Sequence, residues 1–130
     1  MFLITMAVLA MEQSADAAPQ PQQVYEARFL PLKKSERTYA RLGPAGPYYP
    51  ERAFNARTSG QAILRCRVAA AGELQNCKPV SETPADSQFA IASRIMADRK
   101  RITVAGTVAA GETILVRVPF VLGAPAEVEP

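Results

Sequence analysis

A chain of 130 residues with a net charge of +3 is one small domain with room for a modest core. It has no histidine, which excludes a Ser-His-Asp or Cys-His nucleophile and any histidine metal site, and two cysteines alone make a poor zinc site. Eleven prolines stand against seven glycines, and most of the prolines precede Tyr49 or follow Phe120, so the globular part is expected to be shorter than the chain.

Residues 1–17 read as an export signal or a short membrane segment. Phe2 to Ala10 is an apolar run of signal length, too short to span a bilayer, and Ala15-Asp16-Ala17 is a small-x-small cleavage site. No Lys or Arg precedes the run, and a short buried segment is the other reading. Cleavage after Ala17 removes Glu12 and Asp16 and raises the net charge from +3 to +5. Export makes the chain periplasmic or secreted and its compartment oxidising. An uncleaved N-terminus, or a true start upstream, makes it inner-membrane anchored instead.

Residues 18–45 are rich in Pro, Gln and Ala with no sustained period, and read as a linker; the alternative for its middle, Tyr25 to Leu32, where Tyr25, Phe29 and Leu30 mix with charges, is a short strand or turn. Lys33, Lys34 and Arg37 make the segment basic, but no aromatic residues interleave them as a nucleic-acid surface requires, so no nucleic-acid partner is expected. A domain over residues 46–124 follows, with 125–130 as a disordered tail. Pro50 suits a first helical turn, where its missing N–H is no loss, so 50–57 reads as a short helix ending near Gly60.

The next two apolar runs fold about Gly72. Leu64, Cys66 and Val68 alternate cleanly, whereas Leu74 and Cys77 are an odd number of residues apart. A three-residue loop, Ala70-Ala71-Gly72, with Gly72 left-handed, sets Val68 opposite Leu74. One extra residue at Gln75-Asn76, a β-bulge, then brings Cys77 opposite Cys66, Lys78 opposite Arg65 and Pro79 opposite Leu64. The sulfurs become cross-strand neighbours, and a disulfide is expected if the chain is exported; two buried thiols are the alternative. Arg65, Arg67 and Lys78 project from the other face. Because proline cannot donate to a ladder, Pro79 marks an edge strand.

Asp86 or Ser87 can cap a helix running to about Arg99, on which Ala85, Phe89, Ile91, Ala92, Ile95 and Met96 form one apolar stripe. Arg99, Lys100 and Arg101 fall at its C-terminal end, where the helix dipole favours positive charge. Finally Ile114, Val116, Val118, Phe120 and Leu122 alternate with Thr113, Leu115, Arg117, Pro119 and Val121, a strand buried on one face. Pro119 makes it the second edge. The fold class is therefore α+β: a three-stranded antiparallel sheet with two helices packed on one face, in the order helix, strand, strand, helix, strand.

That order resembles the C-terminal domain of TonB-type energy transducers and TolA-like periplasmic domains. The resemblance rests on Tyr49-Pro50 and Ala53 before the strand begun at Gly60, on Leu64, Cys66 and Val68, on Gly72-x-Leu74-x-x-Cys77 with Glu82 and Phe89, and on Val118-Pro119-Phe120. It covers about residues 46–122. It implies a periplasmic module that engages an outer-membrane TonB-dependent receptor, or another envelope protein, by adding an extended peptide to a sheet edge, as part of energy-coupled transport. The alternative is a secreted envelope structural or interaction domain with no transporter partner.

The partner-binding edge is the strand of Thr113, Ile114, Leu115, Val116, Arg117, Val118 and Phe120, through which a homodimer could also form. Arg65, Arg67, Lys78 and Arg117 form a basic stripe on the open face. It either steers an acidic peptide to that edge or only keeps the face solvated. No catalytic role, cofactor, metal or small-molecule substrate is expected: the sole candidate chemistry is a thiol, and Cys66 and Cys77 are not a Cys-x-x-Cys pair.

Overall fold

The computed structural model describes residues 23–130, so the export signal at 1–17 and the first part of the linker lie outside the described residues. In chain order the strands are β1 (Val24–Glu26), β2 (Arg28–Phe29), β3 (Gly60–Val68), β4 (Leu74–Thr83), β5 (Ile102–Thr103) and β6 (Thr113–Phe120). The α-helices are α1 (Glu51–Asn55) and α2 (Phe89–Asp98), with 3-10 turns at Lys34–Leu42, Gly46–Tyr48 and Ala70–Gly72. The class is α+β.

The main sheet has the order β1-β6-β3-β4, and β2 pairs with β5 in a second, two-stranded sheet. The expected three-stranded sheet is thus widened by β1, which runs parallel to β6. This corrects the position of β6: it is not the free edge but lies between β1 and β3. Pro119 is accommodated because β1 pairs only with Leu115, Val116 and Arg117, so the proline stands past the paired stretch.

The hairpin follows the bulged register. Val68 pairs with Leu74, Arg65 with Lys78 and Leu64 with Pro79, and the ladder shifts between Arg65 and Arg67. Asn76 carries the bulge at φ +51°, and Gly72 closes the loop at φ +79°. A Cβ on Gly72 would come within 2.1 Å of the Val104 carbonyl oxygen, so the position needs glycine twice over, for its dihedral and for the close approach. A second bulge, between Ile63 and Leu64, leaves Val80 unpaired opposite β3.

The core fills one face. Leu64, Cys66, Val68, Leu74, Cys77, Ile114, Val116, Val118 and Phe120 meet Phe89, Ala92 and Met96 of α2. Phe89 stacks on Phe120 at 4.4 Å, and Tyr49 meets both rings edge-on at 5.7 and 5.6 Å. These geometries suit the ring quadrupoles and set where α2 lies.

The apolar stripe of α2 is rotated from the expected one. Ser93 and Ala97 are buried, Ile91 and Ile95 are exposed, and Ala85 lies outside the helix. The rotation is possible because the Ser93 hydroxyl donates to the Phe89 carbonyl at 2.7 Å, so a polar residue costs little inside. Ser87 accepts from the Phe89 amide, but the stronger cap comes from β4: Ala90 N–H donates to Glu82 Oε1 at 2.9 Å.

The described part of the stretch read as linker, 23–45, carries β1, β2 and the 3-10 turn at Lys34–Leu42, and is anchored at Leu32. Leu32 is buried over Gly46, at which a Cβ would lie 2.7 Å from Leu32 Cδ2. The stretch read as a disordered tail, 125–130, is held by it: Leu32 N–H donates to the Glu127 carbonyl at 2.8 Å, Glu129 N–H to the Leu32 carbonyl at 2.9 Å, and Ala126 N–H to the Ala40 carbonyl at 2.9 Å. Buried backbone needs partners, and each of these two irregular segments supplies them for the other.

Candidate functional site

A sheet offers a partner two things, its uncovered face and the unpaired backbone at its edges. The uncovered face here carries the alternate residues of each strand, those between the buried ones. On β3 these include Ile63, Arg65 and Arg67, on β6 Thr113, Leu115 and Arg117, on β4 Lys78, and on β1 Val24 and Glu26.

Arg65, Arg67, Lys78 and Thr113 line one shallow depression beside the Asn76 bulge. Arg117 is set apart from them. It lies opposite Ile63 and is held by Glu26 of β1 at 2.5 Å, with both side chains substantially exposed. Arg65, Arg67 and Lys78 therefore share one depression, and Arg117 stands outside it.

Beneath the cluster, Cys66 and Cys77 form a disulfide, with Cα atoms 4.1 Å apart. Both are buried, so the bridge belongs to the core side of the hairpin. Its role is mechanical: it straps β4 to β3 across the bulge, where the ladder is interrupted.

The two edges of the main sheet differ. β4 is the long one, and its own sequence blunts it: Pro79 cannot donate, Asn76 and Val80 break the ladder, and Lys78 places a charge on the strand. On the other side, the expected partner-binding strand of Thr113, Ile114, Leu115, Val116, Arg117, Val118 and Phe120 has no bulge in its ladder with β3. Its outer side is occupied over Leu115–Arg117 by β1, and Ala27 N–H extends the contact by donating to the Arg117 carbonyl at 2.9 Å. Tyr25 of β1 turns to the covered face, beside Val116, where it packs against the core.

A groove of about 470 Å³ runs along the outer side of α2, between Pro47, Tyr48 and Pro50 and the exposed Ile91 and Ile95, with Arg99 and Glu36 at its rim. Arg99 lies over the Tyr48 ring at 5.7 Å. The sequence pattern places these isoleucines in the core stripe and so does not reveal the groove, whereas Ile91 and Ile95 are exposed and Ser93 is buried.

Among the described residues, Tyr49 has an environment that moves its phenol from the ordinary value. Burial raises its phenol above the ordinary value, against a smaller lowering from a hydrogen bond with Ser59. Its hydroxyl donates to the Thr58 carbonyl, which ties the segment between α1 and β3 to the aromatic core. Among the described residues, no group of three or more Cys, Asp or Glu side chains is placed to hold a metal ion, and no helix is long and apolar enough to cross a membrane. Compared with known proteins, the chain matches no family model and no curated sequence.

Proposed function

We propose that the chain is an envelope protein-binding module of the TonB C-terminal kind, taking an extended segment of an outer-membrane TonB-dependent receptor onto the β6 edge. The observation that carries this reading is β1 itself. A three-residue extended segment lies parallel on β6, with one side chain on the core side and an acid on Arg117. An edge that accepts one such segment has the backbone and side-chain geometry for another. The module works in the periplasm, delivered there by the segment 1–17, and needs no cofactor or small-molecule substrate. The cluster of Arg65, Arg67 and Lys78 adds a positive field beside the edge, which raises association rates at low salt more than it raises affinity.

One observation favours the second reading, an envelope structural domain without a transporter partner: β4 is blunted by its own sequence, and the outer side of β6 is occupied over Leu115–Arg117 by β1. A sheet protected on both sides is what a non-associating protein needs. Incubating the immobilised protein with solubilised outer membranes separates the two. The first reading expects retention of a TonB-dependent receptor, weakened by Arg117→Glu. Retention of no transporter, under conditions where the protein is folded, removes it.

A further inference from the structure

We infer that β1 is a resident competitor on the β6 edge, held there by the Glu26–Arg117 ion pair, and that a partner segment enters by exchanging with it. The inference rests on the strand-addition reading above and adds the gate and the chemistry of what passes it.

Three features make β1 removable. None of its residues is buried: Val24 and Glu26 are exposed and Tyr25 is half-buried. Its pairing spans three residues, against eight for the β3–β6 ladder. The chain is anchored just downstream instead. Phe29 pairs with Ile102, Leu30 N–H donates to the Arg101 carbonyl at 3.0 Å, and Leu32 is buried between Gly46 and the C-terminal residues. Peeling from Val24 back to about Ala27 therefore uncovers the outer side of Leu115–Arg117 and leaves every buried anchor in place. Local opening of this kind belongs to the low-stability end of a fold.

The same features specify the incoming segment. In the parallel register an entering strand places one side chain beside Val116 on the core side and the next beside Arg117 on the open side. The segment that fits is extended and carries an apolar or aromatic residue followed by an acid, as Tyr25-Glu26 does. Because β1 is tethered a few residues away, it competes at a high effective concentration. The apparent affinity of the edge falls by the fraction of molecules in which β1 is docked.

The test uses the full chain, labelled with ¹⁵N, and a synthetic peptide copying residues 22–28. Titration is expected to shift the amide signals of Leu115, Val116 and Arg117. Glu26→Arg, which turns the latch from attractive to repulsive while leaving Arg117 for the peptide, should tighten peptide binding by about five-fold or more at low salt, an advantage that shrinks as salt rises. Unchanged signals from the β3–β4 hairpin report that the variant is folded. A peptide with Arg in place of its Glu should bind both proteins more weakly. Equal affinity of wild type and Glu26→Arg overturns the gate but leaves the peptide edge standing. Absence of shifts in both proteins overturns the gate and the strand-addition reading together.

Discussion

The two sides of the β6-β3-β4 core of the main sheet are protected in opposite ways. β4 is guarded by its own covalent structure, with Pro79, two bulges and a disulfide to β3, and nothing can be removed to open it. The edge of β6 carries no such device where β1 lies; it is guarded by another piece of chain, three residues long, on an exposed ion pair. Built-in protection is permanent, whereas borrowed protection is an equilibrium. A protein that needed only to avoid aggregation could have blunted both edges alike.

The contrast can be broken from either side. The largest effect is expected from Leu32→Ala, which removes the buried anchor of the borrowed strand. Loss of about 2–4 kcal/mol of stability, read by chemical denaturation, is the expected cost of deleting a fully buried leucine. Substituting Cys66 and Cys77 together with Ala should cost about 2–3 kcal/mol, since the bridge closes a loop with a sequence separation of 11 residues. That loss should loosen the hairpin and leave β1 docking unchanged, which amide exchange across the two edges would reveal.

Much of the guarded edge was readable from sequence, because the slip of parity between Leu74 and Cys77 admits one simple repair, and the repair fixes the register of every residue from Leu64 to Pro79. The second bulge at Val80 left no such trace, since no buried residue beyond it had to be brought back into phase. The borrowed strand is open in the sequence as a short strand or turn, but its partner is not legible, for a different reason. Val24-Tyr25-Glu26 is too short to show a period, and its place depends on β6, about ninety residues later, as well as on the burial of Leu32 against chain from both ends. The pairing of Arg117 depends on Glu26, a residue of the stretch that reads as a linker, so the sequence pattern carries no sign of it.

Two smaller effects sharpen the comparison by testing the scaffold that both edges share. Glu82→Ala removes the carboxylate that accepts from Ala90, and should cost about 1 kcal/mol, with fraying confined to the start of α2. Tyr49→Phe should also cost about 1 kcal/mol, because the Thr58 carbonyl loses its donor. The raised Tyr49 phenol means that the folded state holds its proton more tightly than the unfolded chain. Its contribution is therefore complete at lower pH and is lost as the pH rises beyond about 10, a loss that Tyr49→Phe should abolish.

The account turns on whether β1 leaves β6 without the rest of the protein unfolding, and native-state hydrogen exchange of the Ala27 amide measures this most directly. That amide donates to the Arg117 carbonyl at 2.9 Å. The account predicts exchange through a local opening, insensitive to low denaturant and far faster than the exchange of the Leu64 and Cys66 amides in β3. Protection of Ala27 equal to that of β3, rising and falling with global stability, would contradict it.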